Sequence, residues 1–174
     1  MKIRQSKELV TRRLVLKSYN VEDMGRLVRI LMNEQISRTF MIPDYPEEEQ
    51  YRELAQKLVQ FSRPEDERHL EYGIYLNGLL IGFINDCGFD DEEIEIGYVV
   101  HPDHQNRGYA TEAVNAVIQE LWTMGFQRIT AGFFEDNPAS RRVMEKCGMT
   151  LNGDSDYEEY RGIQHRCLYC EIRR

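Results

Sequence analysis

The chain has 174 residues, of which 41% are hydrophobic and 30% are charged, and its 30 acidic residues outnumber 22 basic ones to give a net charge of −8. These values are typical of a globular protein, and the length suits a single domain over residues 1–174. The acidic balance argues against a general nucleic-acid binder, which needs a basic stripe, and suits either a cationic partner or a plain solvated surface.

The sequence also bears on where the protein works. It contains no run of the roughly 20 apolar residues that a membrane-spanning helix needs, so we expect no membrane partner. Its first residues, MKIRQSKELVTRRL, lack the apolar segment of a signal peptide. Four cysteines are too few for a disulfide scaffold in a chain of this length. We therefore expect a reduced, cytoplasmic protein.

The first part of the chain predicts one strand and two helices. Alternation and β-branched residues predict a strand over 11–17. Residues 21–32 carry apolar side chains at helical spacing, and Asn20 is a candidate N-cap. Residues 38–46 contain two prolines and predict a loop, and residues 47–61 predict the second helix.

The rest of the chain changes to a strand-rich pattern. Asn77-Gly78 between two β-rich runs predicts a hairpin, because both residues tolerate positive φ. The apolar stripe of the long helix includes Ala113, Val117 and Leu121, and Gly125 ends it. The predicted strands are 71–76, 79–84, 93–100, 127–134, 157–160 and 165–172, and the predicted helices are 109–124 and 138–146.

This order of elements, β-α-α-β-β-β-α-β-α-β-β, defines the fold class. Three successive strands followed by a strand–helix–strand unit predict an α/β fold with one mixed sheet and helices on its faces. We find no linker, repeat or low-complexity segment.

The segment HPDHQNRGYATEA, residues 101–113, predicts an anion site. The first N–H groups of a helix lack partners and carry partial positive charge, and Gly108 at the strand-to-helix turn lets a ligand approach the backbone. The side chains of Gln105, Asn106 and Arg107 can add donors. Neither the P-loop nor the dinucleotide-binding glycine pattern is present. A single glycine at such a boundary is also compatible with an ordinary turn.

Two motifs in this order resemble those of the GCN5-related N-acetyltransferase (GNAT) superfamily. Residues 105–110, QNRGYA, are similar to its Q/R-x-x-G-x-G/A signature, and residues 137–149, NPASRRVMEKCGM, are similar to its second coenzyme motif. The pattern EIGYVV…GYATEA…NPAS…CGM further resembles the RimJ/RimL-like branch, which acetylates the N-termini of ribosomal proteins. The resemblance covers most of the chain and implies a central, mostly antiparallel sheet with helices on both faces.

The resemblance implies acetyl-CoA as co-substrate, with no metal. By position, the backbone of Arg107, Gly108, Tyr109, Ala110 and Thr111 would bind the pyrophosphate. The backbone of Tyr98, Val99 and Val100 would pair with the pantetheine arm as an added strand does.

The second motif contributes two candidate site residues. In the family, the equivalent of Asn137 contacts the coenzyme and the equivalent of Ser140 lies near its sulfur. Each also has a local explanation, since Asn137 before Pro138 is a favourable N-cap and Ser140 can bond a first-turn backbone group.

Two carboxylates are candidate general bases. Glu93 and Glu95 alternate with Ile94 and Ile96, so both should lie on one face of the strand that enters the coenzyme site. Glu95 matches the carboxylate of the branch's EIGY motif and is our first choice, with Glu93 second; a solvated strand face is the alternative. The Val99 amide is a candidate oxyanion donor.

One position departs from the family pattern. Where many members carry a tyrosine that protonates the leaving thiolate, this chain has Met144. Ser140 or water would then supply the proton, or the thiolate would leave without an acid. The departure also keeps open an alternative function, a non-catalytic acyl-CoA-binding sensor.

Two other patterns point to no separate chemistry. Cys167 and Cys170 form a C-x-x-C inside a predicted strand, where spacing of three places the thiols on opposite faces. The histidines His101 and His104 flank a loop and lack the additional ligands of a zinc site.

The sequence thus predicts an N-acetyltransferase in which a primary amine attacks acetyl-CoA directly. The acceptor could be a protein or peptide N-terminus, a polyamine or another small cationic amine, entering past the first two helices, the 38–46 loop and the acidic residues 86–93. Edge strands of the C-terminal hairpin could pair between chains and give a homodimer.

Overall fold

The computed structural model describes residues 2–174, in which one sheet is flanked by helices. The strands are β1 (Glu8–Val10), β2 (Leu14–Lys17), β3 (Glu71–Leu76), β4 (Leu79–Phe89), β5 (Glu93–Val100), β6 (Arg128–Phe134), β7 (Thr150–Tyr160) and β8 (Ile163–Arg173). The helices are α1 (Met24–Leu31), α2 (Glu34–Ser37), α3 (Glu48–Phe61), α4 (Tyr109–Met124) and α5 (Pro138–Lys146). Within this described part, no helix combines the length and apolar character needed to span a membrane.

The sheet has the strand order β1-β2-β3-β4-β5-β6-β8-β7. Every neighbouring pair is antiparallel except β5 and β6, which are parallel. The parallel pair arises because α4 carries the chain back across the sheet between the two strands, as a crossover connection must. The predicted mixed, mostly antiparallel sheet is therefore confirmed.

Each face of the sheet packs against its own helices. On one face, the predicted stripe of α4 is buried together with Met144 of α5. On the other face, α1 contributes Leu27 and Leu31 and α3 contributes Tyr51 and Ala55 to a second apolar cluster. Helices on both faces were also predicted, and the two clusters explain why β4 and β5 read as nearly continuous apolar runs.

The N-terminal part differs from its prediction. The strand expected over 11–17 begins only at Leu14, because Thr11 turns the chain by donating its N–H to the Leu14 carbonyl at 2.9 Å. The preceding residues form β1, which the sequence pattern did not predict. Asn20 makes no side-chain cap bond; its amide donates to Asp23 instead, at 2.9 Å, and a short 3₁₀ turn precedes α1.

Strand β4 and the two strands of the C-terminal hairpin, β7 and β8, are longer than predicted. β4 continues to Phe89 through a bulge, where Asp86 and Gly88 pair with consecutive residues of β5 and Cys87 is extra. A bulge keeps two strands paired while changing which side chains face each side, so apolar alternation ends before the strand does. β7 and β8 also extend beyond the predicted hairpin, and Arg161 and Gly162 form its turn with positive φ.

Candidate active site

The strands β5 and β6 separate partway along their length. They pair only where Glu93, Ile94 and Glu95 face residues 128–130. Beyond Glu95, β5 continues alongside β4 as far as Val100, whereas β6 follows β8 as far as Phe134. The two strands therefore open a cleft whose walls carry backbone groups without a neighbouring strand.

This cleft is part of a cavity of about 560 Å³. Its walls come from the end of β5, the start of α4, Gly132 of β6, one side of α5 from Ala139 to Lys146, and residues of α2 and the following loop. Most of the predicted coenzyme residues lie here: Tyr98, Val99, Val100, Gln105, Asn106, Gly108, Tyr109, Ala110, Thr111, Asn137 and Ser140. A larger open depression of about 740 Å³ lies elsewhere, around Arg63 and Arg68, and contains none of them.

Helix α4 begins without a side-chain cap. Its N-cap residue, Gly108, has φ 79° and ψ 7°, in the left-handed region that favours glycine. A Cβ built on Gly108 would meet only one neighbour, the Arg13 Nη2 atom at 3.3 Å. The first amides of α4 thus face open space with no local partner, as a phosphate-binding helix start requires.

The three residues before Gly108 differ in what they do. The Gln105 side chain donates to the Val100 carbonyl at 2.8 Å, so it supports the end of β5. Asn106 adopts a left-handed φ of 59° and lines the cavity. Arg107 is exposed and its side chain does not line the cavity, while its carbonyl accepts a hydrogen bond from Arg13 at 2.9 Å.

Arg13 is a residue near this site that the sequence pattern did not reveal. Besides binding the Arg107 carbonyl, its Nε lies 2.7 Å from Glu112 Oε2, and its guanidinium lies 4.6 Å from the ring centroid of Tyr109. Arg13 and Glu112 are 99 positions apart in the sequence, so no local pattern connects them. Residues 11–13 had been assigned to a strand, which concealed this contact.

Helix α5 begins with a closed cap. The Asn137 side chain accepts a hydrogen bond from the Ser140 N–H at 3.2 Å, and Pro138 occupies the first turn. The Tyr98 hydroxyl donates to the Ser140 carbonyl at 2.9 Å and lies 2.8 Å from Ser140 Oγ. These bonds fix Ser140 at the wall of the cavity, directly across from β5.

Met144 cannot replace the missing tyrosine. It is completely buried among the residues that pack under α4. A thioether has no proton to give, and this one does not reach the cleft. Ser140 and Tyr98 are the hydroxyl groups that the described structure brings to this part of the cavity wall.

The two candidate bases have different surroundings. Glu93 lies 2.7 Å from Arg128 Nη1, and its side chain is 45% exposed. Glu95 has no such ion pair; it is half-buried, and burial raises the pKa of its carboxyl group. Its Oε1 lies 3.2 Å from where a Cβ on Gly132 would stand, so the absence of a side chain there makes room for it. Neither carboxylate lines the cavity itself, but Glu95 lies against Gly132 of its wall and has no ion pair within the described residues, whereas Glu93 is paired with Arg128.

Strand alternation bears on the expected oxyanion donor. The His101 N–H donates to the Ile81 carbonyl of β4 at 2.7 Å, and the Val99 carbonyl also points at β4, next to Gly82. Backbone groups alternate direction along a strand, so the Val99 amide faces β4 as well. From this alternation we expect the amides of Tyr98 and Val100, on either side of Val99, to point towards the cleft.

A loop closes the other side of the cavity. Phe40 lines the cavity and lies against Gly97, where a Cβ would be 2.9 Å from its ring. The Tyr160 hydroxyl, at the tip of the β7–β8 hairpin, donates to the Ile42 carbonyl at 2.9 Å and so holds the loop in place.

Tyr169 lies on β8. Burial and then the charge of Glu95 raise its pKa to about 12.

Histidines and cysteines form no further centre in the part of the chain that the structure describes. No three His, Cys, Asp or Glu side chains there are grouped to hold a metal ion. The four cysteines are free, and Cys167 and Cys170 are both buried in β8. His104 lines the cavity, and burial followed by the charge of Arg26 lowers its pKa.

Comparison with protein-family models gives one match, to the acetyltransferase (GNAT) domain, over residues 13–150. Among curated proteins, the uncharacterized N-acetyltransferase YoaA of Bacillus subtilis (strain 168) is 27% identical over 150 residues, which span 83% of this chain and 84% of the relative.

Solved structures share the fold over nearly the whole chain. RimL, a ribosomal-protein alpha-N-acetyltransferase in complex with coenzyme A, superposes with a TM-score of 0.83 at 18% identity, covering 95% of this chain and 97% of its own. Spermidine N-acetyltransferase from Vibrio cholerae, in complex with CoA and spermine, superposes with a TM-score of 0.77 at 19% identity, covering 94% and 96%.

Proposed function

This chain belongs to the GNAT acetyltransferase family, and we propose that it is a single catalytic domain that transfers the acetyl group of acetyl-CoA to a primary amine by direct attack. One observation carries the proposal. The cleft between β5 and β6 has an uncapped helix start at one end, at Gly108, and a carboxylate of raised pKa, Glu95, where the strands begin to separate.

The coenzyme part of the proposal is supported by the shape and chemistry of the cavity. The amides at the start of α4, at Gly108, Tyr109, Ala110 and Thr111, would bind the pyrophosphate, since they combine free donors with the positive end of the helix dipole. The cleft-facing carbonyl of Tyr98 and the cleft-facing amide of Val100 would bond the amides of the pantetheine arm. Both elements line one cavity.

Three groups would then carry the reaction. An alkylamine with a pKa near ~10 must lose a proton before it attacks, and Glu95 accepts it directly or through a water. The cleft-facing amide of Tyr98, the nearer of the two to Glu95, stabilises the oxyanion. As the C–S bond breaks, Ser140 donates its hydroxyl proton to the leaving thiolate. The amine nitrogen loses its second proton to solvent, and solvent restores the Ser140 hydroxyl.

The acceptor is a cationic amine in this proposal. The chain carries a net charge of −8, and burial together with the negative charges of Glu95, Asp156 and Glu158 raises the pKa of Tyr169. A negative field of this kind attracts an ammonium group. A protein N-terminus and a polyamine both fit, and the similar structures named above include enzymes of each kind.

The test is release of thiol from acetyl-CoA in the presence of a panel of amines that includes peptides with free N-termini, spermidine and an aminoglycoside. Release that depends on the amine, with a matching mass increase of the acetylated product, supports the proposal. Binding of acetyl-CoA without turnover on any amine would instead favour the sensor, for which Met144 in place of tyrosine is the specific observation.

We also propose a reducing, cytoplasmic setting, which the free state of the cysteines supports. Homodimer formation remains a prediction. Its candidate surface is the outer edge of β7, which ends the sheet on that side and has unpaired backbone groups along it.

A further inference from the structure

The start of α4 contains a feature that works against the function proposed for it. Glu112 lies in the first turn, next to the amides that would receive a diphosphate, and its N–H donates to the Gly108 carbonyl at 3.0 Å. A carboxylate there interacts favourably with the helix dipole, but it repels an incoming anion. A phosphate site with its own carboxylate therefore needs a compensating charge.

Arg13 supplies that charge with close geometry. Its Nε lies 2.7 Å from Glu112 Oε2, and its backbone N–H lies 2.7 Å from Oε1. Thr11 adds a third donor to the same carboxylate, at 2.6 Å. Although burial acts to raise it, these hydrogen bonds and the charge of Arg13 lower the pKa of Glu112 on balance, so the pair is ionised.

The same guanidinium also contacts the loop that turns into α4. Nη1 donates to the Arg107 carbonyl at 2.9 Å, and Nη2 is the atom closest to where a Gly108 Cβ would be, at 3.3 Å. This hydrogen bond occupies the Arg107 carbonyl, so that acceptor is not left free beside the amides that would bind the anion. A guanidinium offers five donors in a rigid fork, which suits a residue with several partners.

We infer that Arg13 is a positioning residue of the coenzyme site, which neutralises Glu112 and holds the Arg107 carbonyl so that the start of α4 accepts the diphosphate of CoA. The inference rests on the proposed function. It assigns a role to a residue that lies directly before β2 and outside both coenzyme motifs.

The test measures the dissociation constant of CoA by calorimetry and needs no acceptor amine. Arg13→Gln should weaken CoA binding by about tenfold, the scale of one charge-assisted contact. Arg12→Gln is the matched control: it removes the same charge one position away, from an exposed side chain, and should leave the dissociation constant unchanged. Thermal melting of each variant without ligand reports on the fold.

The double variant Arg13→Gln/Glu112→Gln separates this role from simple support of the loop. If Glu112 repels the diphosphate once Arg13 is gone, removing its charge should recover most of the lost affinity. A pair that only supported the fold would give a double variant at least as weak as Arg13→Gln alone.

Two results would overturn the inference. One is CoA binding by Arg13→Gln equal to that of Arg12→Gln, and the other is a double variant with no recovery. Both leave the proposed function standing, because the wild-type protein still binds CoA. If the wild-type protein itself does not bind CoA, the proposed function fails.

Discussion

Helices α4 and α5 both begin at the β5–β6 cleft, but their first turns are built differently. The start of α4 has Gly108 in a left-handed conformation and no side-chain cap. The start of α5 is closed by Asn137, whose side chain accepts the Ser140 N–H at 3.2 Å. An uncapped start leaves donors for a ligand, whereas a capped start fixes a side chain in place.

This difference assigns the two ends separate tasks in our proposal. The α4 end should govern the affinity for CoA, and the α5 end should govern turnover through Ser140. Glu95 belongs to neither helix. Its substitution therefore measures how far turnover falls when the base is lost and both helix starts are intact. Substitutions at the three places should therefore separate binding from catalysis in kinetic measurements.

The largest effect is expected from Glu95→Gln, which keeps the shape of the side chain and removes its basicity. Turnover should fall by about 100-fold or more, the usual contribution of a general base. The KM for acetyl-CoA should stay unchanged. The matched control is Glu93→Gln, since Glu93 lies on the same strand but is bound to Arg128. A larger loss in Glu93→Gln than in Glu95→Gln would reverse the assignment.

The pH profile gives an independent measure of Glu95. Burial raises the pKa of this carboxyl group, so it loses its proton at a higher pH than an exposed glutamate does. The value of kcat/KM should therefore rise with pH as the base ionises. Steady-state rates between pH 4 and pH 8 would show this rise as a separate limb. Glu95→Gln should lack the limb, and an unchanged profile in that variant would contradict the role.

Gly108→Val tests the uncapped start of α4. A β-branched residue is strained at φ 79° by about 1–2 kcal/mol, and relief of the strain would turn the amides away from the ligand. We expect CoA affinity to fall by roughly 30-fold, which corresponds to about 2 kcal/mol, the upper end of this strain. Gly125→Val is the control, since Gly125 has φ 102° at the opposite end of the same helix. Equal CoA binding by both variants would contradict the role of Gly108 in binding the diphosphate of CoA.

Ser140→Ala tests the capped start of α5. Loss of the proton donor should lower turnover by about tenfold, less than loss of the base, because water can replace the hydroxyl. The KM for acetyl-CoA should change little, in contrast to Gly108→Val. Unchanged turnover on a good acceptor would mean that the thiolate leaves without help from Ser140.

The smallest effect should come from Asn137→Ala, which removes the cap itself. The free energy of unfolding should fall by about 1 kcal/mol, measured in urea, and turnover should fall modestly because Ser140 loses a constraint. Asn33→Ala removes the equivalent cap of α2, where Asn33 accepts from the backbone of Gln35 and Ile36. A stability loss in Asn33→Ala with unchanged turnover would separate capping from catalysis.

The parts of the site that could be predicted lie within short segments. Gly108 and Asn137 stand at the boundaries of strongly periodic elements, where local rules for helix ends apply. The apolar stripe of α4 also follows from its own period of 3.6 residues. The strand predicted over 11–17 is present from Leu14. Its predicted start at Thr11 was wrong, because a short turn and a strand can show the same alternation.

Other parts depend on residues that are distant in the sequence. Alternation placed Glu93 and Glu95 on one face, but residues of the neighbouring strand β6 distinguish them: Arg128 binds Glu93, and Gly132 leaves room for Glu95. The contact between Tyr98 and Ser140 spans 42 positions, and the bulge at Cys87 extends β4 past the end of its apolar pattern. No rule based on neighbouring residues contains this information.

The sequence by itself determined most of the elements, the two helix starts and the pair of candidate carboxylates, since backbone conformation and periodicity are local properties. Only the tertiary structure decided which carboxylate remains unpaired, which hydroxyl faces the cleft and which arginine neutralises Glu112. Each of these choices is set by burial and by charges that packing brings within hydrogen-bonding distance, because the pKa and orientation of a side chain depend on its neighbours in space.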